Sequence, residues 1–262
     1  MISVLAIAHN TFREAIRDRI LYGFVFFAVV LILFSVVLGQ LSFNQQVRVT
    51  TDVGLAGISL FSVLIAIFMG ITLLHKEIEK RTIYPVLSKP VSRNSYLLGK
   101  FLGLCATLLI QIALMTAVFL IVLETQGGEI TAGLVTALLL VFCETVLVIS
   151  MALFFTSFSS PFLSGIFCLG IFVAGRNANL IEQLADKKGL EWMSPLLEGV
   201  SSVLPNLYLF YPSGKMVEES WATVHGHFVS SGYLATTIGY GLLYTLVFLV
   251  LSSMLLRRRD FI

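Results

Sequence analysis

Charge is scarce in this sequence: Asp, Glu, Lys and Arg make up 12% of 262 residues, against 57% hydrophobic residues and a mean hydropathy of +0.94. A soluble domain carries about twice that share of charge, so the soluble class is excluded and the chain is expected in a bilayer. Cysteine is nearly absent as well. Cys105, Cys143 and Cys168 are odd in number, lie within apolar runs and form no C-x-x-C pair, which excludes a disulfide framework or dithiol redox motif and leaves small core residues. Histidine is limited to His9, His75, His225 and His227. Only His225-Gly226-His227 could act as a unit, and no Cys, Met cluster or further His nearby completes a metal's usual three or four ligands, so no metal site is expected. A phosphate-binding loop is missing too. Gly99-Lys100-Phe101 and Gly214-Lys215-Met216 come nearest, yet both lack the upstream glycine and the Ser/Thr that would ligand magnesium. No catalytic constellation or bound cofactor is therefore expected in this chain.

Long apolar runs fill the space that charge leaves. Residues 54–74 pass without a charge, and at about 1.5 Å of rise per residue such a helix covers the roughly 30 Å hydrocarbon core. Runs at 20–40, 101–123, 157–175 and 233–256 meet or approach the same length, and 131–155 does so with one charge, Glu144, near its centre. Six transmembrane helices are expected in one all-α membrane domain covering 1–262.

Arg13, Arg17 and Arg19 precede the first run and no small-x-small cleavage site follows it, so that run is expected to be retained. With six spans both termini share a side. Placing them in the cytoplasm puts Arg13, Arg17, Arg19, Lys76, Lys80, Arg81, Lys89, Arg93, Lys100, Arg257, Arg258 and Arg259 inside, twelve of the 17 basic residues. Glu124, Glu129, Glu182, Asp186, Glu191, Glu198, Glu218 and Glu219 then fall outside. Residues 1–19 place Leu5, Ala8, Phe12 and Ile16 at helical spacing among polar residues, the pattern of an interfacial amphipathic helix or of a cytoplasmic extension of the first span.

Between the second and third spans the chain reads HKEIEKRTIYPVLSKPVSRNSYLLGK, residues 75–100, with eight of its charged side chains. A helix continuing from span two is interrupted by Pro85 and Pro90, and Ser92 or Asn94 can cap a helix leading into span three. The result is an elbow, here 76–97, with a helical arm on each side. A positive-inside anchor explains the basic residues but not Glu77 and Glu79, which anionic lipids repel; a protein contact fits the mixture better.

The run Glu77-x-Glu79-x-x-Thr82, followed by Val86-Leu87-Ser88-x-Pro90-Val91-Ser92-Arg93 and Leu98-Gly99-Lys100, closely resembles the cytoplasmic signature of ABC-2 type transporter permeases. The wider layout is similar too, down to a tight turn at 157–162. Leu204-Pro205-Asn206-Leu207 resembles the branch named for multicopper-enzyme maturation, which includes the permease of nitrous-oxide reductase assembly. The resemblance implies an ABC-2 exporter-like fold whose elbow docks on a separate ATPase subunit, the chain that binds ATP and magnesium. It would give Glu77, Glu79, Arg81 and Thr82 polar contacts with that partner, while Pro90, Val91, Ser92 and Arg93 hold the bend. It also implies a second permease subunit, identical or paralogous, in a bacterial cytoplasmic membrane; no nucleic acid is expected as a partner.

Glu144 is costly inside a membrane unless paired or facing water, and no cationic partner is in view from the sequence. It is expected either to line a translocation path, with Gln111 of span three at similar depth, or to be a structural tie hydrogen-bonded to Gln111 or a carbonyl. The outer segment 177–231 is expected to hold short helices, with Met193, Leu196, Leu197, Val200, Leu204 and Leu207 at helical spacing, that lid the path or cap the bundle. Two rival functions use the same features: an ATPase-linked scaffold that moves no solute, and a proton-coupled carrier built on Glu144.

Overall fold

The computed structural model describes residues 2–42, 45–79, 93–178, 204–211, 215–217, 220–222, 224 and 229–258. Among the described residues seven α-helices carry the fold: α1 Ile2–Ile16, α2 Arg19–Leu41, α3 Gln46–Glu79, α4 Arg93–Thr125, α5 Ala132–Thr156, α6 Pro161–Arg176 and α7 Ser231–Arg258. The outer segment adds a 3-10 turn, Leu207–Phe210, and an antiparallel pair, β1 Lys215–Val217 and β2 Ser220–Ala222, with Met216 opposite Trp221. Among the described residues five helices, α2, α3, α4, α5 and α7, are long and apolar enough to cross a membrane. The sixth apolar run forms the shorter α6, whose 16 residues rise about 24 Å.

Helix α5 is the hub. It packs on α3, α4, α6, α7 and the 3-10 turn, and Leu147–Leu153 is solvent-free on every side. A helix apolar all round is what such a central position requires. Its hydroxyls are satisfied within the helix, Ser150 Oγ donating to the Leu147 carbonyl at 2.6 Å and Thr156 Oγ1 to that of Ala152 at 2.7 Å, so they do not penalise burial. At Gly70 of α3 a Cβ would lie 2.7 Å from the Ala152 Cβ, so the two backbones approach as only small residues allow.

Local signals set the helix ends. Asp18 caps α2 by accepting from Ile20 N at 3.1 Å, and the break it makes separates α1 from the first span. Helix α4 stops where Gly127 turns to φ +74; Gly128 N donates to the Leu123 carbonyl and Gly127 N to that of Glu124, both at 3.0 Å, closing a Schellman motif. Thr131 starts α5, accepting from Leu134 N at 3.2 Å while donating to the Val224 carbonyl at 2.9 Å, which fastens the outer segment to the bundle.

Helix α1 lies along α4, where Gly99 meets Ile7 and the Val4 carbonyl and Gly103 meets Thr11 and the Ala8 carbonyl. Thr11 and Ala15 are buried, whereas Leu5, on the apolar stripe, is 65% exposed. The inner face follows the glycine pair of α4 rather than the largest side chains of α1.

Candidate functional site

Two regions hold the charged side chains that the fold buries or ties together. One is the interior around Glu144. Helices α5 and α6 are antiparallel, joined by the turn at 157–160, so depth can be counted from that turn. Glu144 lies twelve residues back from Thr156, about 18 Å, and Arg176 fifteen residues on from Pro161, about 22 Å. Because α6 ends early, its terminal arginine stays inside the bundle, within side-chain reach of the carboxylate. Arg176 Nη2 lies 3.7 Å from Glu144 Oε2 and donates to Ser59 Oγ of α3 at 2.8 Å, and Ser59 Oγ approaches Glu144 Oε2 at 3.4 Å. Glu144 is fully buried. The triad thus joins α3, α5 and α6 at one point.

Aromatic rings close over this triad. The Arg176 guanidinium sits 4.3 Å from the Tyr211 ring centroid and 5.3 Å from that of Phe172, distances at which a cation is attracted to the ring face. Burial pushes the Tyr211 phenol up to about 12, with Arg176 pulling the other way and Asp52 and Glu144 adding to the rise. At physiological pH that side chain is therefore uncharged and keeps its proton.

Residues 204–211 build the cap itself. Asn206 Oδ1 accepts from Tyr208 N at 3.2 Å to start the 3-10 turn, while Asn206 N donates to the Tyr240 hydroxyl at 2.8 Å. The Tyr233 hydroxyl donates to the Leu209 carbonyl at 2.8 Å, and Leu207 and Phe210 are buried. Gly175 leaves no room for a Cβ against the Pro205 carbonyl. Leu204-Pro205-Asn206-Leu207, singled out in the sequence, therefore forms the contact between the outer segment and the end of α6. Met193, Leu196, Leu197 and Val200 lie outside the described residues, as do His225 and His227.

The structure brings Glu144 to Arg176 rather than to Gln111. Gln111 is buried in α4, and neither its amide oxygen nor its nitrogen has a hydrogen-bond partner among the described residues. Arg176 is one of the five basic residues that the charge distribution leaves outside. The signal that could have found it is the length of its run: 157–175 is the shortest of the six, and Arg176 is the first charge after it.

The second region is the end that the Lys/Arg distribution puts in the cytoplasm. Glu77 and Glu79 belong to the last turn of α3 and Arg93 opens α4, while Arg81, Thr82, Pro90, Val91 and Ser92 lie outside the described residues. With 34 and 33 residues, α3 and α4 rise about 51 and 50 Å, well beyond the roughly 30 Å hydrocarbon core. Both extend past their apolar runs at this end, so the elbow is entered and left by helix. Its arms are fastened sideways at three points. Lys76 Nζ reaches Asp18 Oδ2 at 3.3 Å, Lys100 Nζ lies 3.6 Å from Glu14 Oε2, and Ser253 Oγ donates to Asn94 Oδ1 at 2.7 Å. The arms are thereby joined to α1, to the cap of α2 and to α7.

Among the described residues, no group of three or more His, Cys, Asp or Glu side chains is placed to hold a metal. The three cysteines are free, Cys168 buried and the other two half-buried. No curated protein matches the chain. A family model does: the one described as ABC-2 family transporter protein matches residues 5–261, nearly the whole sequence. With five helices among its described residues long and apolar enough to cross a membrane, this integral membrane protein belongs to the ABC-2 family of transporter proteins.

Proposed function

We propose that the chain is the permease subunit of an ATP-binding-cassette transporter of the bacterial cytoplasmic membrane, working as one of two six-span bundles with ATP hydrolysed by a separate ATPase. The observation that carries this reading is the elbow, a mixed-charge segment between two helices that extend beyond the membrane and are anchored sideways to three others. A surface built only to attract lipid has no use for Glu77 and Glu79, whereas a partner protein that pushes on the elbow has a use for stiff arms. Displacement of the elbow is carried along α3 from Lys76 to Ser59, seventeen residues or about 26 Å, to the Glu144–Arg176 pair beneath the cap. ATP-driven closure of the partner dimer thus bears on the outer end of the pathway through one continuous helix.

Proton coupling through Glu144 is the weaker reading. An intramembrane carboxylate without a partner calls for a functional role, but this one has a guanidinium and a hydroxyl beside it, which is reason enough for its presence. The test is a mild-detergent pull-down of the tagged chain from its native membranes beside Glu77→Lys. The expected result is an ATPase bearing a phosphate-binding loop that accompanies the wild type and is lost from the variant. If no such ATPase accompanies a folded wild-type chain from cells that express one, the permease reading is wrong.

A further inference from the structure

At the cytoplasmic end a cleft of about 730 Å³ opens between α1, the start of α2 and the end of α3, with Arg13, Glu14, Arg17, Asp18, Arg19 and Ile20 in its walls. Its two carboxylates are already engaged: Asp18 holds Lys76 at 3.3 Å and caps α2, and Glu14 faces Lys100 at 3.6 Å. Arg13, Arg17 and Arg19 form no ion pair with a carboxylate among the described residues, and all three are exposed. Three guanidinium groups therefore stand round one cavity with their local counter-charge used elsewhere. Guanidinium forks match phosphate oxygens in geometry as well as charge.

The surroundings say which phosphate. Ile20 forms part of the cleft wall and is 48% exposed, and the same helix goes on to present Tyr22, Phe26 and Phe27 outward. A soluble phosphate gains nothing from that apolar track, while a lipid whose headgroup sits in the cleft can lay its acyl chains along it. The basic rim also falls where the Lys/Arg distribution puts the inner headgroups.

We infer that this cleft is a binding site for the phosphate headgroup of an anionic phospholipid, held by Arg13, Arg17 and Arg19. An occupied site joins α1, α2 and α3 beside the Lys76–Asp18 link, so the lipid becomes part of the lateral support of the elbow.

Native mass spectrometry of the full-length chain in mild detergent, titrated with dioleoylphosphatidylglycerol or dioleoylphosphatidylcholine, tests the site. Phosphatidylglycerol should be retained more tightly, and Arg13→Gln/Arg17→Gln/Arg19→Gln should weaken it on the order of tenfold or more. Removing three charges from the other side of the topology, as Arg48→Gln/Lys187→Gln/Lys188→Gln, should leave it within about twofold. Inorganic phosphate at millimolar concentration should not displace the lipid; displacement would show a soluble phosphate site and overturn the lipid assignment. Should the triple-arginine variant fail to fold, salt decides on the wild type: phosphatidylglycerol retention should fall steeply with rising ionic strength while phosphatidylcholine retention does not. Equal retention of the two lipids by the wild type, or full retention of phosphatidylglycerol by a folded triple-arginine variant, would overturn the proposal.

Discussion

Two ion pairs that α3 touches are built in opposite ways. At its middle, Ser59 joins Glu144 and Arg176 where the carboxylate is fully buried and aromatic rings cover the guanidinium. At its cytoplasmic end, Lys76 reaches Asp18 with 47% of its side chain exposed. Water and salt screen the second pair, and such pairs contribute about 0–1 kcal/mol, so it can be made and remade as the elbow shifts. The first is sheltered from both. Losing one partner there strands a charge, and this difference suits a machine that must yield where it is pushed and hold its register where the path closes.

Breaking the buried pair from one side should have the largest effect. Arg176→Leu should cost about 3–5 kcal/mol, read as a large fall in the melting temperature of the detergent-solubilised chain. Glu144→Leu/Arg176→Leu should recover most of that loss, because no charge is left stranded. A single substitution no worse than Lys76→Gln would remove the contrast between the two ends. Next in size is the cap. Gly175→Val drives a branched side chain toward the Pro205 carbonyl and Leu207, and should destabilise by about 1–3 kcal/mol in the same melting assay.

Smaller effects sharpen the cytoplasmic side. Asp18→Ala removes both the Lys76 partner and the cap of α2, so it should cost about 1 kcal/mol and exceed Lys76→Gln, which removes only the exposed pair. Raising the salt concentration should shrink the Lys76→Gln effect further and leave that of Arg176→Leu almost unchanged. Gln111→Leu should be neutral or mildly stabilising, since it removes a buried amide with no hydrogen-bond partner among the described residues. Unchanged stability with altered transport would assign Gln111 to the pathway.

Much of this architecture could be read from residue order because membranes punish exceptions. Uncharged runs of the required length can be little but spanning helices, while the elbow expected at Pro85 and Pro90 lies outside the described residues. Depth was harder to read. Whether Arg176 lies outside the membrane or within the bundle depends on where α6 ends relative to α5, a three-dimensional register that hydropathy does not carry. The inward face of α1 was hidden for a similar reason. Periodicity gave an apolar stripe of Leu5, Ala8, Phe12 and Ile16 but not which side meets the bundle, and Gly99 and Gly103 of another helix decide that. Leu204-Pro205-Asn206-Leu207 was visible as a motif, while its work as a cap over an ion pair emerges only once Tyr211 and Arg176 are seen together.

Photo-crosslinking tests directly whether an ATPase pushes on the elbow. A photoreactive amino acid at position 79, on the last turn of α3, is compared with one at position 48, at the opposite end of the same helix, in cells expressing the partner ATPase. An adduct containing the ATPase is expected at position 79 and none at position 48. An ATPase that co-purifies with the chain yet crosslinks at neither position, or only at 48, would contradict it.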